Sequence, residues 1–404
     1  MTQNRLELQE EQNLIPLPVQ KVQSEREVSL FDAQTIDQLE WPLTEQGQYA
    51  KKFLAPLVKE GISRYVHNIQ ADIFVLKCGN FVFPIIVNND NYQNSYVCSP
   101  YAHYISYGSQ AVTHLIKTRA FALLVKQLLL GIGRISRATH LNSVVYVNHW
   151  LFSTDLYPEE PSAGEIAAIT SFLIQRFPQH ALIFRSLNLL TTPGLLGQMK
   201  PTEYDLIPSR YVYVTDARNE EIFQTRILKS DLRLWEKKTY DVVDDSGLSD
   251  KDCPDLLRLY NSLYIEHHSH LQPQFSESFM QLILKNKILS FKVLKSGEEI
   301  SGVAGYCVRN GVMFCSFFGY DKEDPDHAVI YRLLNTALLL EARQRGVLFH
   351  QSAGASFSKT IRRAEGCIEY MAVHVQHLPS LQKASWRLLN NLMNRLGPKY
   401  MKNY

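Results

Sequence analysis

The segment from Glu266 to His270 holds the residues best suited to proton transfer in this sequence. It reads Glu266-His267-His268-Ser269-His270 and lies near the end of a predicted helix over residues 250–268. A carboxylate at the rim of a cleft can accept a proton from a reacting group, so Glu266 is our candidate general base. If the helix extends that far, Glu266 and His270 share one helical face. The pair could then be a base with its orienting partner or a weak metal site. The alternative is a solvated helix end, and because no third ligand has a suitable spacing, we expect no metal.

A second group of polar side chains follows the ends of two predicted strands. Tyr320 ends the strand over residues 312–320, and Gln351 and Ser352 end the strand over residues 347–351. Their hydroxyl and amide groups could hydrogen-bond a ligand, although simple packing also accounts for Tyr320. Gly354 follows directly and would let the backbone approach a ligand closely.

A short basic helix comes next, with Lys359, Arg362 and Arg363. Cations near a helix start can hold a phosphate group. The alternative is that these three basic residues only form a solvated surface. In the first half, a loop rich in amphipathic rings contains Tyr101 and Tyr104. Such loops suit contact with a peptide or an acyl chain, or the rings fill the junction between domains.

The composition is that of a globular protein with two domains. The chain has 404 residues, 45% of them hydrophobic and 20% charged, with a net charge of +2. This balance gives no reason to expect nucleic acid or an anionic membrane as the main partner. The six cysteines are scattered, which indicates buried thiols in a reducing compartment. We see neither a signal peptide nor a membrane-spanning segment, and therefore expect a cytoplasmic protein.

The two halves follow one plan, which predicts an α+β fold with mixed sheets flanked by helices. Each half has antiparallel strands followed by strand, helix, strand, short helix and strand, with hairpin turns at Gly79-Asn80 and Asn310-Gly311. We divide the chain into an N-terminal arm, a first domain, a linker and a second domain that carries the active site. Their predicted ranges are 1–44, 45–215, 216–238 and 239–404.

Several segments resemble the GNAT superfamily of acyltransferases, and more narrowly its FemAB-like branch with two tandem GNAT domains. In the second half these segments are 302–306, 319–321 and 352–359, and in the first half 94–101 and 147–154. The segments of the first half resemble bacterial two-domain proteins of this type, some of which belong to natural-product gene clusters and attach fatty acyl groups to amine side chains of peptides. The resemblance implies two tandem GNAT-like domains and attack of an amine on a thioester.

The resemblance also implies roles for the candidate residues. Glu266 would be the base, Tyr320 the acid for the leaving sulfur, and Ser352 a hydrogen-bond donor in catalysis. The donor's thioester and phosphopantetheine would be held by Gln351, Gly354, Lys359, Arg362 and Arg363. The acceptor or acyl chain would contact Tyr101, Tyr104, Trp150, Tyr264 and His270.

One segment departs from the family pattern. GNAT enzymes usually bind the coenzyme A pyrophosphate with a basic, glycine-rich loop at the start of the long helix, whereas residues 321–327 here are acidic and lack glycine. The donor is therefore expected to be an acyl-carrier-protein thioester, another large donor, or acyl-CoA in a different pose. Two alternatives stay open, namely an aminoacyl-tRNA-dependent transferase of the FemAB kind and a non-catalytic binding protein. The low net charge disfavours the tRNA-dependent alternative, and we expect no nucleic acid partner.

Overall fold

The protein was analysed as a computed structural model that describes residues 27–110 and 119–402. The predicted arm over residues 1–44 and the predicted helix over 109–131 each lie partly outside these ranges. Within the described part, residues 28–31 of the arm form a strand that pairs with its neighbour in the sheet.

A single 12-stranded mixed sheet runs through the described chain. Its strands are β1 Val28–Phe31, β2 Asp72–Cys78, β3 Phe81–Asn89, β4 Ser143–Val147, β5 Ala181–Leu187, β6 Tyr204–Asp216, β7 Asp241–Asp244, β8 Ser290–Ser296, β9 Glu299–Arg309, β10 Val312–Tyr320, β11 Leu348–His350 and β12 Glu365–His374.

The sheet does not break between the two halves. Its order is β1-β2-β3-β4-β5-β12-β6-β11-β10-β9-β8-β7. The last strand, β12, pairs antiparallel with β5 and β6, and β6 in turn pairs with β11. Only β4 with β5 and β10 with β11 are parallel pairs, and each is joined through a helix. The predicted mixed α/β architecture is confirmed, and the two parallel units give each half the expected plan.

Helices cover both faces of the sheet. They are α1 Glu45–Glu60, α2 Arg119–Ala138, α3 Ala163–Arg176, α4 Pro193–Met199, α5 Arg226–Glu236, α6 Cys253–Tyr260, α7 Glu277–Asn286, α8 His327–Arg345, α9 Ser356–Ile361 and α10 Ser380–Met401. Two π-helical segments, Ala102–Tyr107 and Asn261–Glu266, add to these. Within the ranges described, none of the helices has both the length and the apolar character that a membrane crossing requires.

One hydrophobic core extends along a whole face of the sheet. It joins strand residues of both halves, such as Tyr146 and Phe314, to residues of α1, α2, α6, α7 and α10. The opposite face carries two separate cores, one under α3 and α4 and the other under α8. This arrangement follows from the two-residue alternation of the strands, which sends neighbouring side chains to opposite faces.

Local sequence explains most of the elements. Ser162 and Glu165 form the capping box that starts α3, and Asn310 and Gly311 have the positive φ angles of 46° and 69° that the turn between β9 and β10 needs. The predicted helix over residues 250–268 is shorter, because α6 passes into the π-helical segment that ends at Glu266. The short strand β7 and the full length of β6 were not predicted.

Candidate active site

The parallel strands β10 and β11 separate at the centre of the second half. Their pairing ends at Phe314 and His350. Directly beyond, β10 has a bulge at residues 315–317, where its register with β9 shifts. On the other side, Gln351 N–H donates to the Tyr213 carbonyl over 2.8 Å, so this chain stays joined to β6. Beyond Phe314 and His350, β10 and β11 are therefore no longer paired, and we call this separation of the two strands the opening.

Ser352 lies at the edge of this opening with an oriented hydroxyl. Its Oγ accepts a hydrogen bond from Arg210 Nη1 at 3.2 Å, and Arg210 Nη2 donates to Thr154 Oγ1 at 2.7 Å. Since the guanidinium can only donate, the Ser352 proton is free to point elsewhere. Ser352 is half-buried and has a positive φ of 59°. Its hydroxyl can therefore serve as a hydrogen-bond donor to a bound ligand.

A buried ion pair holds Arg210 in place. Its Nε and Nη2 atoms donate to Glu369 Oε1 at 2.9 and 2.7 Å. Burial opposes the ionisation of Glu369, but the charge of Arg210 and the nearby His350 outweigh it and lower the pKa of the carboxyl to about 2. His350 Nε2 lies 3.8 Å from Glu369 Oε2, and its Nδ1 accepts the Ser352 N–H at 3.2 Å. Both halves therefore contribute to the support of Ser352.

Lys359 holds the loop over residues 351–353 through hydrogen bonds to its backbone. Its ammonium donates to the carbonyls of Gln351, Ser352 and Ala353 at 2.6, 3.2 and 2.8 Å. Lys359 is buried, and burial together with Arg210 lowers its pKa to about 7. The prediction that Lys359 holds a phosphate is corrected by this geometry, because its three donors are directed at backbone carbonyls.

The neighbouring basic residues also differ from the prediction. Arg362 Nε donates to Asp231 Oδ2 at 2.8 Å, and Asp231 is fully buried, so Arg362 joins α9 to α5. Only Arg363 of this cluster is exposed. Gly354 has a φ of 76°, and a Cβ added there would meet no atom within 4 Å. The backbone conformation therefore favours glycine here, and the approach of this backbone to a ligand stays a prediction.

Aromatic rings cluster between the end of β10 and α8. Tyr320 and Tyr331 lie 6.1 Å apart between ring centroids, and Phe318 lies 6.0 Å from Tyr320. Burial raises the pKa of Tyr320, so its phenol stays protonated. Burial also raises the pKa of Tyr264. The Tyr264 ring lies 4.9 Å from that of Tyr260, which stacks 4.8 Å from Phe317 of the bulge. These rings offer a largely apolar wall with hydroxyl groups along it.

Glu266 and His270 line one cleft of about 520 Å³, together with residues of the segment 109–110 and Lys126 of α2. Both side chains are exposed, and because the helical segment ends at Glu266, the predicted shared helical face does not form. In the same cleft, burial and Lys322 lower the pKa of His268 to about 4. Tyr264 belongs to the same π-helical segment as Glu266. The described residues contain no cluster of three or more His, Cys, Asp or Glu side chains placed to bind a metal.

Tyr101 and Tyr104 lie in the core instead of on a contact loop. Tyr101 packs against Tyr92 with centroids 5.0 Å apart, beneath the Arg137 guanidinium. The Tyr104 ring packs on His103, and its hydroxyl is buried. Their positions fit the packing alternative left open above, because both rings contact other side chains of the same core.

The corresponding parallel pair in the first half, β4 and β5, is filled by a buried ion network. His149 Nδ1 lies 2.9 Å from Asp155 Oδ2, and Arg185 Nη1 lies 3.2 Å from the same oxygen. Trp150 is buried, donates to Asn148 Oδ1 at 2.7 Å, and stacks under Arg309. Trp150 therefore has a packing role, and the structure offers the first half no equivalent opening among these residues.

Sequence reasoning missed the support of Ser352. Arg210 and Glu369 were each read as parts of strands, and His350 was assigned no function. A charged residue inside an otherwise apolar strand is the signal that was available, because such a residue is seldom buried without a partner.

Comparison with known proteins gives structural similarity only. No protein-family model matches the sequence, and no curated protein sequence matches it. The L-PGS structure from Bacillus licheniformis is similar with a TM-score of 0.42 and 14% identity, covering 57% of this chain and 78% of that one. FemX is similar with a TM-score of 0.42 and 9% identity, covering 56% and 79%.

A tandem GNAT protein from the clavulanic acid biosynthesis pathway covers 88% of this chain and 100% of its own, with a TM-score of 0.36 and 10% identity. All three TM-scores lie below 0.5, so these similarities carry no functional argument. The fold is established by the sheet order and by the two parallel strand–helix–strand units.

Proposed function

We propose that the chain is an N-acyltransferase that transfers an acyl group from a thioester to an amine. The observation that supports this most directly is the opening at the β10 bulge, with the Ser352 hydroxyl oriented at its edge by Arg210. A thioester placed between the separated strands would find its oxygen facing a preset donor. Preset donors are effective because they need no reorganisation when charge develops on that oxygen.

In the proposed reaction, the amine nitrogen attacks the thioester carbonyl carbon, the C–N bond forms and the C–S bond breaks. Glu266 accepts the proton that the ammonium loses before attack. The leaving thiolate takes a proton from the Tyr320 phenol, and the second proton lost by the nitrogen restores that phenol. The Ser352 hydroxyl donates to the carbonyl oxygen while it carries negative charge.

The acidic loop before α8 supports a donor other than coenzyme A in the usual pose. Asp321 Oδ1 accepts the Glu323 N–H at 2.9 Å, and Asp324 Oδ1 accepts the Asp326 N–H at 2.7 Å. Two backbone amides of this loop are therefore occupied by carboxylates, which would also repel a pyrophosphate. We propose an acyl-carrier-protein thioester as the donor.

For the transferred group, we propose a medium- or long-chain fatty acyl group, accommodated along the rings of Phe318, Tyr320 and Tyr331. For the acceptor, we propose a lysine or ornithine side chain of a peptide, entering through the cleft beside Glu266 in a cytoplasmic setting. The similarity of the first half to peptide fatty acyltransferases supports this choice.

Intact-mass analysis tests the proposal. The full chain is incubated with a lysine-containing peptide and with decanoyl groups carried either by a carrier protein or by coenzyme A. A peptide that gains a decanoyl mass from the carrier protein supports the proposal, and transfer from coenzyme A alone would refute the donor assignment. Transfer of an aminoacyl group from charged tRNA would support the FemAB alternative, and no mass change with any donor would favour the binding protein.

Replacing Ser352 by alanine tests the site itself. We expect Ser352→Ala to lower kcat about 100-fold, the effect of losing one oxyanion donor, with little change in KM. The matched control is Ser171→Ala, because Ser171 is an exposed serine on α3 in the other half. Unchanged turnover in the Ser352 variant would contradict the assigned role.

A further inference from the structure

Two helices on one face of the protein carry most of the exposed large hydrophobic side chains in the described part of the chain. Among the described residues there are twelve such side chains, and eight lie on α2 and α10. On α2 these are Leu123, Leu124, Leu128, Leu130 and Ile135, and on α10 they are Leu381, Leu388 and Leu396. Leu124 and Leu128 are 65% and 54% exposed, and Leu381 is 67% exposed. Isolated exposed leucines are ordinary, whereas such a concentration on two helices marks an interaction surface.

All the charged residues of these two helices are basic. Over residues 119–138 and 380–401 the two helices contain eight of the 42 Lys and Arg residues and none of the 40 Asp and Glu residues. The rest of the chain therefore has an excess of acidic residues, although the whole chain is nearly neutral. The net charge of the whole chain gave no reason to expect an anionic membrane as a partner. It does not show that basic residues are concentrated on these two helices.

The two helices are neighbours on one face of the sheet. Ile132 of α2 and Trp386 of α10 both belong to the core that extends along that face. Gln382 Nε2 at the start of α10 donates at 3.2 Å to the carbonyl of His140, two residues beyond α2. Since both helices bury their inner faces in the same core, their leucine-bearing faces are directed away from the sheet on the same side.

We propose that α2 and α10 together form a docking surface for an anionic phospholipid bilayer. Rows of leucine with flanking cations suit the headgroup boundary, where the apolar side chains enter the acyl region and the cations meet phosphates. A second copy of this chain is disfavoured as the occupant, because a self-complementary contact would place like charges together. RNA is disfavoured because the surface exposes leucines where phosphate and base contacts need polar groups. This inference does not depend on the proposed acyl transfer.

Vesicle co-sedimentation of the full chain tests the proposal. We expect the protein to sediment with vesicles of equal parts phosphatidylglycerol and phosphatidylcholine, and to stay in solution with vesicles of phosphatidylcholine alone. High salt should weaken the binding, because it screens the cations. Equal binding to both vesicles, or binding to neither, would overturn the proposal.

Variants locate the surface. Leu124→Gln with Leu128→Gln should weaken binding about tenfold, and Arg134→Gln about fivefold. Leu381→Gln with Leu388→Gln gives an independent test on α10. The control is Leu189→Gln, since Leu189 is 61% exposed in the loop between β5 and α4 and should not affect binding.

Circular dichroism verifies that each variant is folded. Folded α2 and α10 variants that bind as well as the parent would overturn the proposal. Concentration-dependent dimerisation or RNA retention, sensitive to the same variants without vesicle binding, would equally overturn it and identify the other occupant.

Discussion

Replacing Lys359 by methionine should change how the stability of this protein depends on pH. The wild-type ammonium is buried and donates to three loop carbonyls, and burial lowers its pKa from 10.5 to about 7. In the unfolded chain the same group returns to its ordinary pKa. Between these two values the unfolded state therefore binds more protons than the folded state.

The sign and the size of the effect follow from this difference. Where the unfolded state binds the extra proton, the free energy of unfolding rises with pH by about 1.4 kcal/mol per unit. The cost of burying the ammonium is fully present below pH 7 and is gone above pH 10.5. From neutral pH to about pH 9, Lys359 should thus add about 2 kcal/mol to wild-type stability. A methionine cannot titrate and contributes no such rise.

Urea unfolding, monitored by tryptophan fluorescence at both pH values, measures the effect. At neutral pH the variant avoids the cost of burying the ammonium, but it leaves three carbonyls without their donor, at about 1 kcal/mol each. These two effects on the free energy of unfolding have opposite signs and largely cancel. The difference between wild type and variant as pH rises is therefore the informative quantity. Lys229→Met is the matched control, because Lys229 is exposed on α5.

The reasoning would be refuted by parallel stability profiles for wild type and Lys359→Met between neutral pH and about pH 9. Such a result would mean that the three carbonyls hold the ammonium charged throughout this range. A profile in the Lys229 variant that differs from wild type would show instead that the effect is not specific to the buried site.

Three further predictions concern an ion pair, a backbone conformation and a buried thiol. Glu369→Gln should lower the free energy of unfolding by about 3 kcal/mol in the same urea measurement, because it leaves the Arg210 guanidinium without its carboxylate. The control Glu365→Gln, on the exposed part of the same strand, should have no effect. Gly354→Ala should lower the free energy of unfolding by about 1–2 kcal/mol, because Gly354 has a φ of 76°. The control is Gly164→Ala, whose added Cβ also meets no atom within 4 Å and which should be neutral or slightly stabilising. Cys98 is fully buried and burial raises its pKa, so peptide mass analysis should find it modified by a thiol reagent only after unfolding.

Local patterns in the sequence predict most of the elements. The Gly79-Asn80 and Asn310-Gly311 turns join paired strands as expected, and the predicted long helix over residues 328–345 corresponds to α8. These features depend on contacts between residues close in the chain. The order of the strands depends on contacts between distant segments, which periodicity does not encode. The insertion of β12 between β5 and β6 was therefore not predicted.

The candidate site could be predicted only in part, for the same reason. The ends of β10 and β11 follow from the predicted strands over residues 312–320 and 347–351, so Tyr320 and Ser352 were within reach of the sequence. Arg210 and Ser352 are separated by 142 residues, and their hydrogen bond forms only because β6 lies beside β11. Lys359 was interpreted as a phosphate ligand because a sequence shows its charge but not its burial.

The position of β12 has a consequence for how the chain is synthesised. Residues 365–374 leave the ribosome after all the other strands described above, yet they occupy the middle of the sheet, between β5 and β6. Until they arrive, both of those strands present an unpaired edge, and such edges readily pair with other chains. The nascent first half therefore lacks a sheet partner for β5 until β12 has been synthesised. Premature termination before Glu365 should yield an aggregation-prone fragment in place of a smaller folded protein.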